Sequence, residues 1–302
     1  MGVHLSRLRG VLLATLAELR TDLRTRFVDK DGRFLTDDDC DLYINLAYHD
    51  FANRAESNRR EWAFNVTANQ YSYSVPEDMI KPGTMMWMKD SRRPLEFRQL
   101  SFFADNGGLD LTSFGPPNFY TFHQGDSGLN AQPQFRLWPT PSSSSEQTTN
   151  TGLIGTGNTE IVVTDSSKFR ARGWVLINAE LILFYSKDDS TNTLKQCVRG
   201  MGGTKAANHL AGQDVIQQDV HIWYYYQPAD LSTGTSVPEI PLPYHDLLVT
   251  GALYQGLKAD GRMQEAGVAF QEWGQGIAFA KGEMLKAQTS NFITFNLPGG
   301  YD

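Results

Sequence analysis

The chain has 302 residues, 40% of them hydrophobic and 20% charged, which is sufficient for one large or two modest domains with a buried core. Its formal net charge of −7 argues against a general nucleic-acid coat, because phosphate binding requires clustered Lys and Arg. The chain has only two cysteines, Cys40 and Cys197, which excludes a disulfide framework and fits assembly in a reducing cytoplasm. It has no long apolar run and no signal-peptide pattern, so no membrane span is predicted.

The N-terminal part of the chain is predicted to be helical. Leucines recur at spacings of three and four through residues 3–26, which predicts a helix with one narrow apolar seam. Thr36 and the three aspartates after it indicate a capping box, so a second helix is expected to run from there to about Arg54. This helix is apolar on most of its circumference, including Phe51, and one of its sides is therefore expected to face a neighbouring subunit.

The pattern changes to strands from residue 62. Alternating polar and apolar residues predict strands at WAFNVT (62–67), QYSYSVP (70–76) and TMMWM (84–88), with the first two joined as a pair by a turn at Asn69. LEFRQLSFFAD (95–105) predicts a strand followed by one helical turn, and GPPNFYTFHQ (115–124) predicts a further strand.

A small β module is predicted to be inserted in a β-hairpin. FRLWPTP (135–141) and HIWYYYQPADL (221–231) are interpreted as the two antiparallel halves of that hairpin, the second being a strand buried on both faces. PSSSSEQTTNTG (141–152) has the composition of a polar linker, and strand patterns resume after it. The predicted core therefore comprises residues 1–141 and 220–302, and residues 142–219 form the inserted β module.

Two helices and an extended tail are predicted at the C-terminal end. Three prolines in PEIPLPYHDLL (238–248) end the sheet and begin a helix that runs to Gly261. The next helix, from about Met263 to Thr289, places Trp273 and Ile277 on an apolar face and contains four interior glycines, which cost stability unless another helix packs closely. Residues 290–302 are predicted to form an extended tail. The fold class is therefore predicted as α+β, with a bundle of N- and C-terminal helices and a central antiparallel β region.

The stretch CVRGMGGTKAANHLAGQDV (197–215) contains residue types found in phosphate-binding and metal-binding sites, but not at the required spacing. Its threonine precedes the lysine, which a phosphate-binding loop does not allow, and it lacks the third glycine of a dinucleotide fingerprint. His209 has no neighbouring ligand at metal-site spacing, and Cys197 has no base nearby. We therefore predict no enzyme activity and no cofactor, and a structural turn at Arg199, Gly200, Gly203, Thr204 and His209.

The ordered set of elements resembles the head-to-tail adaptor (connector) proteins of tailed bacteriophages. The resemblance rests on FLTDDDCDLYINLAYHDFANR (34–54), WAFNVTANQYSYSVPEDMI (62–80), GPPNFYTF (115–122), FRLWPTP, HIWYYYQPADL and IPLPYHDLLVTGALYQGLKADG (240–261). It covers about 220 residues outside the predicted insert. GWVLINAELILFYSKDDSTNTLKQCVRGMGGTKAANHLAGQDV (173–215) is similar to a β module of phage structural proteins, on a pattern that includes Glu180, Arg199 and His209.

The resemblance implies a structural virion protein at the head-tail junction, made in the host cytoplasm. Such adaptors form a homo-oligomeric ring, usually a dodecamer, below the portal protein, where they extend the DNA channel and carry the tail (nozzle or tail-tube) proteins. Genomic DNA would pass through the lumen without sequence-specific binding, to which the acidic net charge is suited. Contacts with the portal or a neighbouring subunit are expected at Phe51, Trp273, Ile277, Asn291, Phe292, Ile293, Thr294 and Phe295, and NFITFN (291–296) has a pattern suited to strand addition.

Two alternatives are left open by the residues alone. The aromatic content and the exposed position of an inserted module are also typical of a host-surface or glycan-binding virion protein. An enzyme carried in the virion, such as a wall hydrolase, is the other alternative, because carboxylates that are distant in sequence can form a catalytic pair in space.

Overall fold

A computed structural model describes residues 14–29, 34–89, 92–105, 113–124 and 133–290. Within these residues the chain forms five α-helices: α1 Leu16–Phe27, α2 Asp37–Ala55, α3 Leu100–Asp105, α4 His245–Ala259 and α5 Met263–Ser290. A 3₁₀ turn, Leu242–Tyr244, precedes α4. The predicted α+β class is confirmed, and none of these helices has the length and apolar content needed to cross a bilayer.

The described strands are labelled in chain order. They are β1 Arg59–Phe64, β2 Ser72–Ser74, β3 Met79–Trp87, β4 Arg93–Phe97, β5 Phe119–Gln124, β6 Pro133–Trp138, β7 Gln147–Thr149, β8 Ile161–Val162, β9 Gly173–Ile177, β10 Glu180–Phe184, β11 Ser186–Asp188, β12 Thr193–Lys195, β13 Val198–Met201, β14 Asp214–Gln218 and β15 Val220–Tyr226. The strand and helical turn predicted at 95–105 are confirmed as β4 and α3.

The chain divides into two compact units. The helical unit contains the described parts of residues 1–58 and 226–302, and the sheet unit contains those of residues 59–225. The helical unit is built from α1, α2, α4 and α5, whose apolar side chains share one core. The division predicted from the sequence, with 142–219 as a separate module, stays a prediction.

Local sequence signals determine where the helices of the helical unit begin. The Thr36 side chain accepts a hydrogen bond from the Asp39 N–H at 3.1 Å, and the Asp39 carboxylate accepts one from the Thr36 N–H at 3.0 Å, so the predicted capping box of α2 is confirmed. An equivalent box, formed by Thr15 and Glu18, begins α1. Of the first predicted helix (3–26), residues 16–26 are helical, Ala14 and Thr15 precede the helix, and residues 3–13 lie outside the described ranges.

Glycines allow α2, α4 and α5 to approach one another closely. A Cβ on Gly251 of α4 would lie 2.9 Å from the Ala47 Cβ and 3.0 Å from the Trp273 ring, so this position holds the three helices together. A Cβ on Gly276 of α5 would clash with Leu247, as the prediction of close helix packing requires. The other predicted packing glycines of α5 differ, because Gly267 and Gly282 would meet nothing within 4 Å.

The larger sheet of the sheet unit has the strand order β1-β15-β3-β4-β5-β6-β2. Two predicted pairings are wrong. β1 pairs with β15 and β2 pairs with β6, although the turn at Asn69 exists, with φ +64°. FRLWPTP (β6) and HIWYYYQPADL (β15) are not hairpin partners, because β3, β4 and β5 lie between them. The β region is also not wholly antiparallel, since β4 and β5 are parallel.

Residues 147–218 form two smaller sheets, β13-β10-β9-β14-β7 and β11-β12-β8, around a core of their own. The predicted linker 141–152 is not a free connection, because it contributes strand β7 and its serines bind the larger sheet. Val66 N donates to Ser145 Oγ at 2.8 Å, and Ser145 Oγ donates to the fully buried Asp219 at 2.7 Å. Arg170 forms an ion pair with the same carboxylate at 2.5 Å, so both chain connections to this segment are fixed.

Candidate functional site

The turn predicted at residues 199–209 is organised by the carboxylate of Glu180, which is 1% exposed. The Arg199 guanidinium binds it in a bidentate manner, Nε to Oε1 at 2.7 Å and Nη2 to Oε2 at 2.7 Å. The backbone N–H groups of Gly200 and Ala207 each donate to it at 3.0 Å. His209 Nε2 lies 2.7 Å from Oε2. Five hydrogen bonds therefore converge on one buried carboxylate, which we call the Glu180 hub.

The protonation of the hub follows from these partners. Burial alone would raise the pKa of Glu180, but hydrogen bonds from the guanidinium, the imidazole and two backbone N–H groups together lower it from 4.5 to about 2. His209 Nδ1 lies 3.3 Å from Asn178 Nδ2. In the tautomer with its proton on Nε2, the imidazole donates to Glu180 and accepts from Asn178 Nδ2. The hub is a satisfied structural network with no polar group left to act on a substrate.

The glycines of the turn place it against β1 of the larger sheet. Gly200, Gly202 and Gly203 have φ values of +65°, +62° and +81°, which favour glycine. A Cβ on Gly202 would lie 3.1 Å from the Glu61 carbonyl oxygen, and one on Gly203 would lie 2.7 Å from Arg60 Nη1. Side chains at these positions would push the turn away from the strand. The glycines therefore allow the chain to turn and to pack closely against β1.

Thr204 connects the turn to β10. Its hydroxyl donates to the Met201 carbonyl at 2.7 Å and accepts from the Leu181 N–H at 3.1 Å. All five predicted turn residues are thus close to one another in space. In the sequence, Glu180 is recognisable only as one position of a pattern. The one signal that could have identified it is a single glutamate among the apolar residues of β10, because a buried carboxylate requires a partner such as Arg199.

The two cysteines and the buried His221 do not have the surroundings of a catalyst or metal ligand. No three His, Cys, Asp or Glu side chains among the described residues are grouped so that they could hold a metal ion. Burial raises the pKa of the Cys197 thiol to about 12 and also raises that of Cys40, which disfavours the nucleophilic thiolate. Burial beside Arg170 lowers the pKa of His221 to about 4, and this ring packs edge-on against Trp174.

Three residues predicted to contact the portal or a neighbour are buried within the helical unit. Phe51, Trp273 and Ile277 are each at most 3% exposed and belong to its common core. The rings of Phe51 and Trp273 have centroids 6.1 Å apart, and Trp273 Nε1 donates to Asp50 Oδ2 at 2.9 Å. Their contact with another subunit stays a prediction. Asn291, Phe292, Ile293, Thr294 and Phe295 lie outside the described residues.

Helix α5 carries a second seam, opposite the one that faces the core. Its core seam includes Ala266, Ala269, Trp273, Ile277 and Ala280. The second, which we call the outer seam, has the same three-four spacing and contains no charged residue; it consists of Gln264, Val268, Gln271, Gln275, Ala278 and Gly282. Val268 is 59% exposed, and the adjacent Phe279 is 67% exposed. A helix with two uncharged seams is suited to packing on two sides.

Helix α2 carries a different exposed apolar patch. Leu42 and Leu46, one helical turn apart, are 55% and 45% exposed and point away from the core. Two polar residues of α2 beside them, Asn45 and His49, contact the chain that follows β15. Asn45 forms hydrogen bonds with both backbone groups of Leu231, and His49 forms one with Gln227. The helical unit therefore has exposed apolar side chains on α2 as well as on α5.

Comparison with known families gives one finding that covers almost the entire chain. The family model described as SU10 adaptor protein matches residues 14–295. A search of curated proteins finds no match.

Proposed function

This chain belongs to the SU10 adaptor protein family, whose members are phage structural adaptors, and we propose that it forms a homo-oligomeric ring below the portal protein. The ring extends the DNA channel and provides the platform for the tail (nozzle or tail-tube) proteins at the head-tail junction of the virion. A dodecamer is the ring size that the family resemblance implies. Genomic DNA passes through its lumen, and residues 142–219 form an accessory module on the adaptor core.

The outer seam of α5 is the observation that carries this proposal. It is exposed, it is free of charge, and it contains Ala278 and Gly282, small residues that allow another helix to approach. Val268 in the seam and Phe279 beside it are exposed apolar side chains, which are often covered by a partner. The seam on its own would also permit a symmetric dimer.

The patch at Leu42 and Leu46 favours a ring over a dimer. Contact between the outer seam of one copy and this different patch of the next is a heterologous contact. Heterologous contacts repeat around an axis and produce rings when the rotation closes. Two unlike exposed surfaces on one unit therefore support heterologous contacts, from which a ring can be built.

The ring proposal predicts that charge in the outer seam prevents assembly. We expect the double variant Val268→Lys/Ala278→Lys to remain monomeric when mixed with portal, because each subunit contact would bury two unpaired charges. Native mass spectrometry and negative-stain electron microscopy of the adaptor-portal mixture measure this. Both positions are exposed, so the thermal unfolding temperature of the isolated chain should be unchanged.

A matched control has the same change in net charge on the same helix. The double variant Glu272→Gln/Glu283→Gln also raises the net charge by two, at exposed positions outside the seam. We expect it to assemble like the unmodified chain. Rings formed equally well by the seam variant would show that α5 is not a subunit interface.

The proposal also assigns a role to the chain after α5. We expect deletion of residues 291–302 to abolish docking on the portal, because NFITFN has the pattern of a segment that adds a strand to a partner. Deletion of only LPGGYD (297–302) keeps that segment and should preserve docking. Co-sedimentation with portal particles measures both deletions, and unchanged docking of the longer deletion would remove the tail from the proposal.

A further inference from the structure

An exposed tryptophan interrupts the otherwise buried strand β15. Trp223 is 51% exposed, whereas the two residues after it, Tyr224 and Tyr225, are buried. Its indole lies at an open groove of about 560 Å³ in the sheet unit, formed over β1, β15 and β3. The sequence predicted a strand buried on both faces, so this position is where the structure departs from that prediction.

Two cations lie beside the tryptophan. The Arg59 guanidinium is 5.0 Å from the centroid of the Tyr225 ring and donates a hydrogen bond to its hydroxyl at 2.6 Å. The Lys81 ammonium is 5.8 Å from the same centroid. Arg59, Lys81 and Trp223 all line the groove and are exposed. The groove therefore combines a flat apolar platform with positive charge.

The backbone beneath the groove is held closely together. A Cβ on Gly83 of β3 would clash with the Trp223 carbonyl oxygen, so only glycine allows the two strands to approach in this way. The Gly83 carbonyl in turn accepts a hydrogen bond from the Tyr120 hydroxyl at 3.1 Å. The platform is therefore carried by paired strands and not by a loop, which reduces the ordering cost of binding.

We propose that this groove binds an acidic segment of a partner protein, with a carboxylate at Arg59 and Lys81 and an apolar side chain on Trp223. Trp, Tyr and Arg are the residues that dominate the energetics of protein interfaces. The positive groove on a chain of net charge −7 defines an acidic partner by charge complementarity. The inference rests on the proposed function, since an adaptor binds other virion proteins through exposed surfaces.

The same surroundings disfavour a nucleic acid. A nucleic-acid backbone carries a charge on every nucleotide. Its binding requires a longer series of Lys and Arg side chains than Arg59 and Lys81 provide. An acidic protein segment needs only one or two carboxylates at these cations and an apolar side chain on Trp223.

A binding experiment with the full chain tests this inference. The probe is a fluorescein-labelled octapeptide of alternating Glu and Leu, and its partner probe replaces every Glu by Lys. Fluorescence anisotropy at about 0.1 M salt should show saturable binding of the acidic peptide, at least tenfold weaker binding of the basic one, and at least tenfold weakening by Arg59→Glu or by Trp223→Ala. A labelled dT12 oligonucleotide is the third probe.

Two comparisons keep the outcomes distinct. Arg172→Glu makes the same charge change at an exposed residue that does not line the groove, and it should alter peptide affinity less than twofold. No saturable binding at 1 mM peptide, equal weakening by Arg59→Glu and Arg172→Glu, or tighter binding of dT12 would each overturn the inference. Ring assembly of the Trp223→Ala chain with portal is measured in parallel, so a failure of the groove is distinguishable from a failure of the ring.

Discussion

Replacing Glu180 by Gln is expected to destabilise the segment around the turn by about 3–5 kcal/mol, the usual cost of removing one partner from a buried ion pair. The amide keeps the size of the side chain but cannot accept the bidentate guanidinium of Arg199, which is itself only 7% exposed at its side chain. It also leaves the N–H groups of Gly200 and Ala207 with a weaker acceptor. Hydrogen exchange of residues 199–210 should therefore accelerate more than that of α4 or α5.

The control for this substitution is Glu160→Gln. Glu160 is an exposed glutamate in the same part of the chain, and its replacement should change the unfolding free energy by less than about 0.5 kcal/mol. Denaturant unfolding followed by hydrogen exchange distinguishes the two variants. An equal, small effect of both would mean that the Glu180 hub does not organise the turn.

The hub also predicts a dependence on pH. The pKa of Glu180 is lower in the folded chain, about 2, than its ordinary value of 4.5, so the folded state favours the ionised carboxylate. Its contribution to stability is complete above about pH 4.5 and is lost as the pH falls from there towards 2. The Glu180→Gln chain should lack this part of the acid dependence.

Replacing Trp273 by Ala is expected to lower the stability of the helical unit by about 3–5 kcal/mol, because the ring fills the space between α2, α4 and α5. The variant removes the contact with Phe51 and the hydrogen bond to Asp50, and it leaves a cavity beside Gly251. Thermal unfolding of the isolated chain measures the loss without any partner present.

Trp223→Ala is the matched control, since it removes the same side chain from an exposed position. We expect a clearly smaller loss of unfolding free energy than for Trp273→Ala, because about half of the Trp223 side chain is already exposed to solvent. If Trp273→Ala leaves the isolated chain equally stable and affects only assembly with portal, the residue acts at a subunit contact and not in the core.

Local signals in the sequence predicted the helices and most strands. The capping box at Thr36 and the prolines before His245 determine helix starts within one or two residues, because both act on the nearest turn of backbone. The buried positions of Trp273 and Ile277 on α5 followed from its period.

Strand partners and the Glu180 hub depend on residues that are distant in sequence. β15 pairs with β1, more than 150 residues earlier, although its own alternation specifies only which side chains share a face. The hub joins Glu180 to residues 19–29 positions later, and no short motif marks it. The predicted contact role of Trp273 likewise followed from its apolar face alone, because period does not distinguish a core from an interface.

The pairing of β1 with β15 has a consequence for the order in which the protein folds. The sheet unit is continuous from Arg59 to Tyr225, and the chain enters and leaves it on two adjacent strands. During synthesis α1 and α2 emerge first. Their shared core cannot form until α4 and α5 have also been synthesised. The intervening sheet unit, once folded, brings the ends of that long segment together and removes most of the entropy of closing it. The pairing of β1 with β15 therefore lowers the entropic cost of forming the helical core.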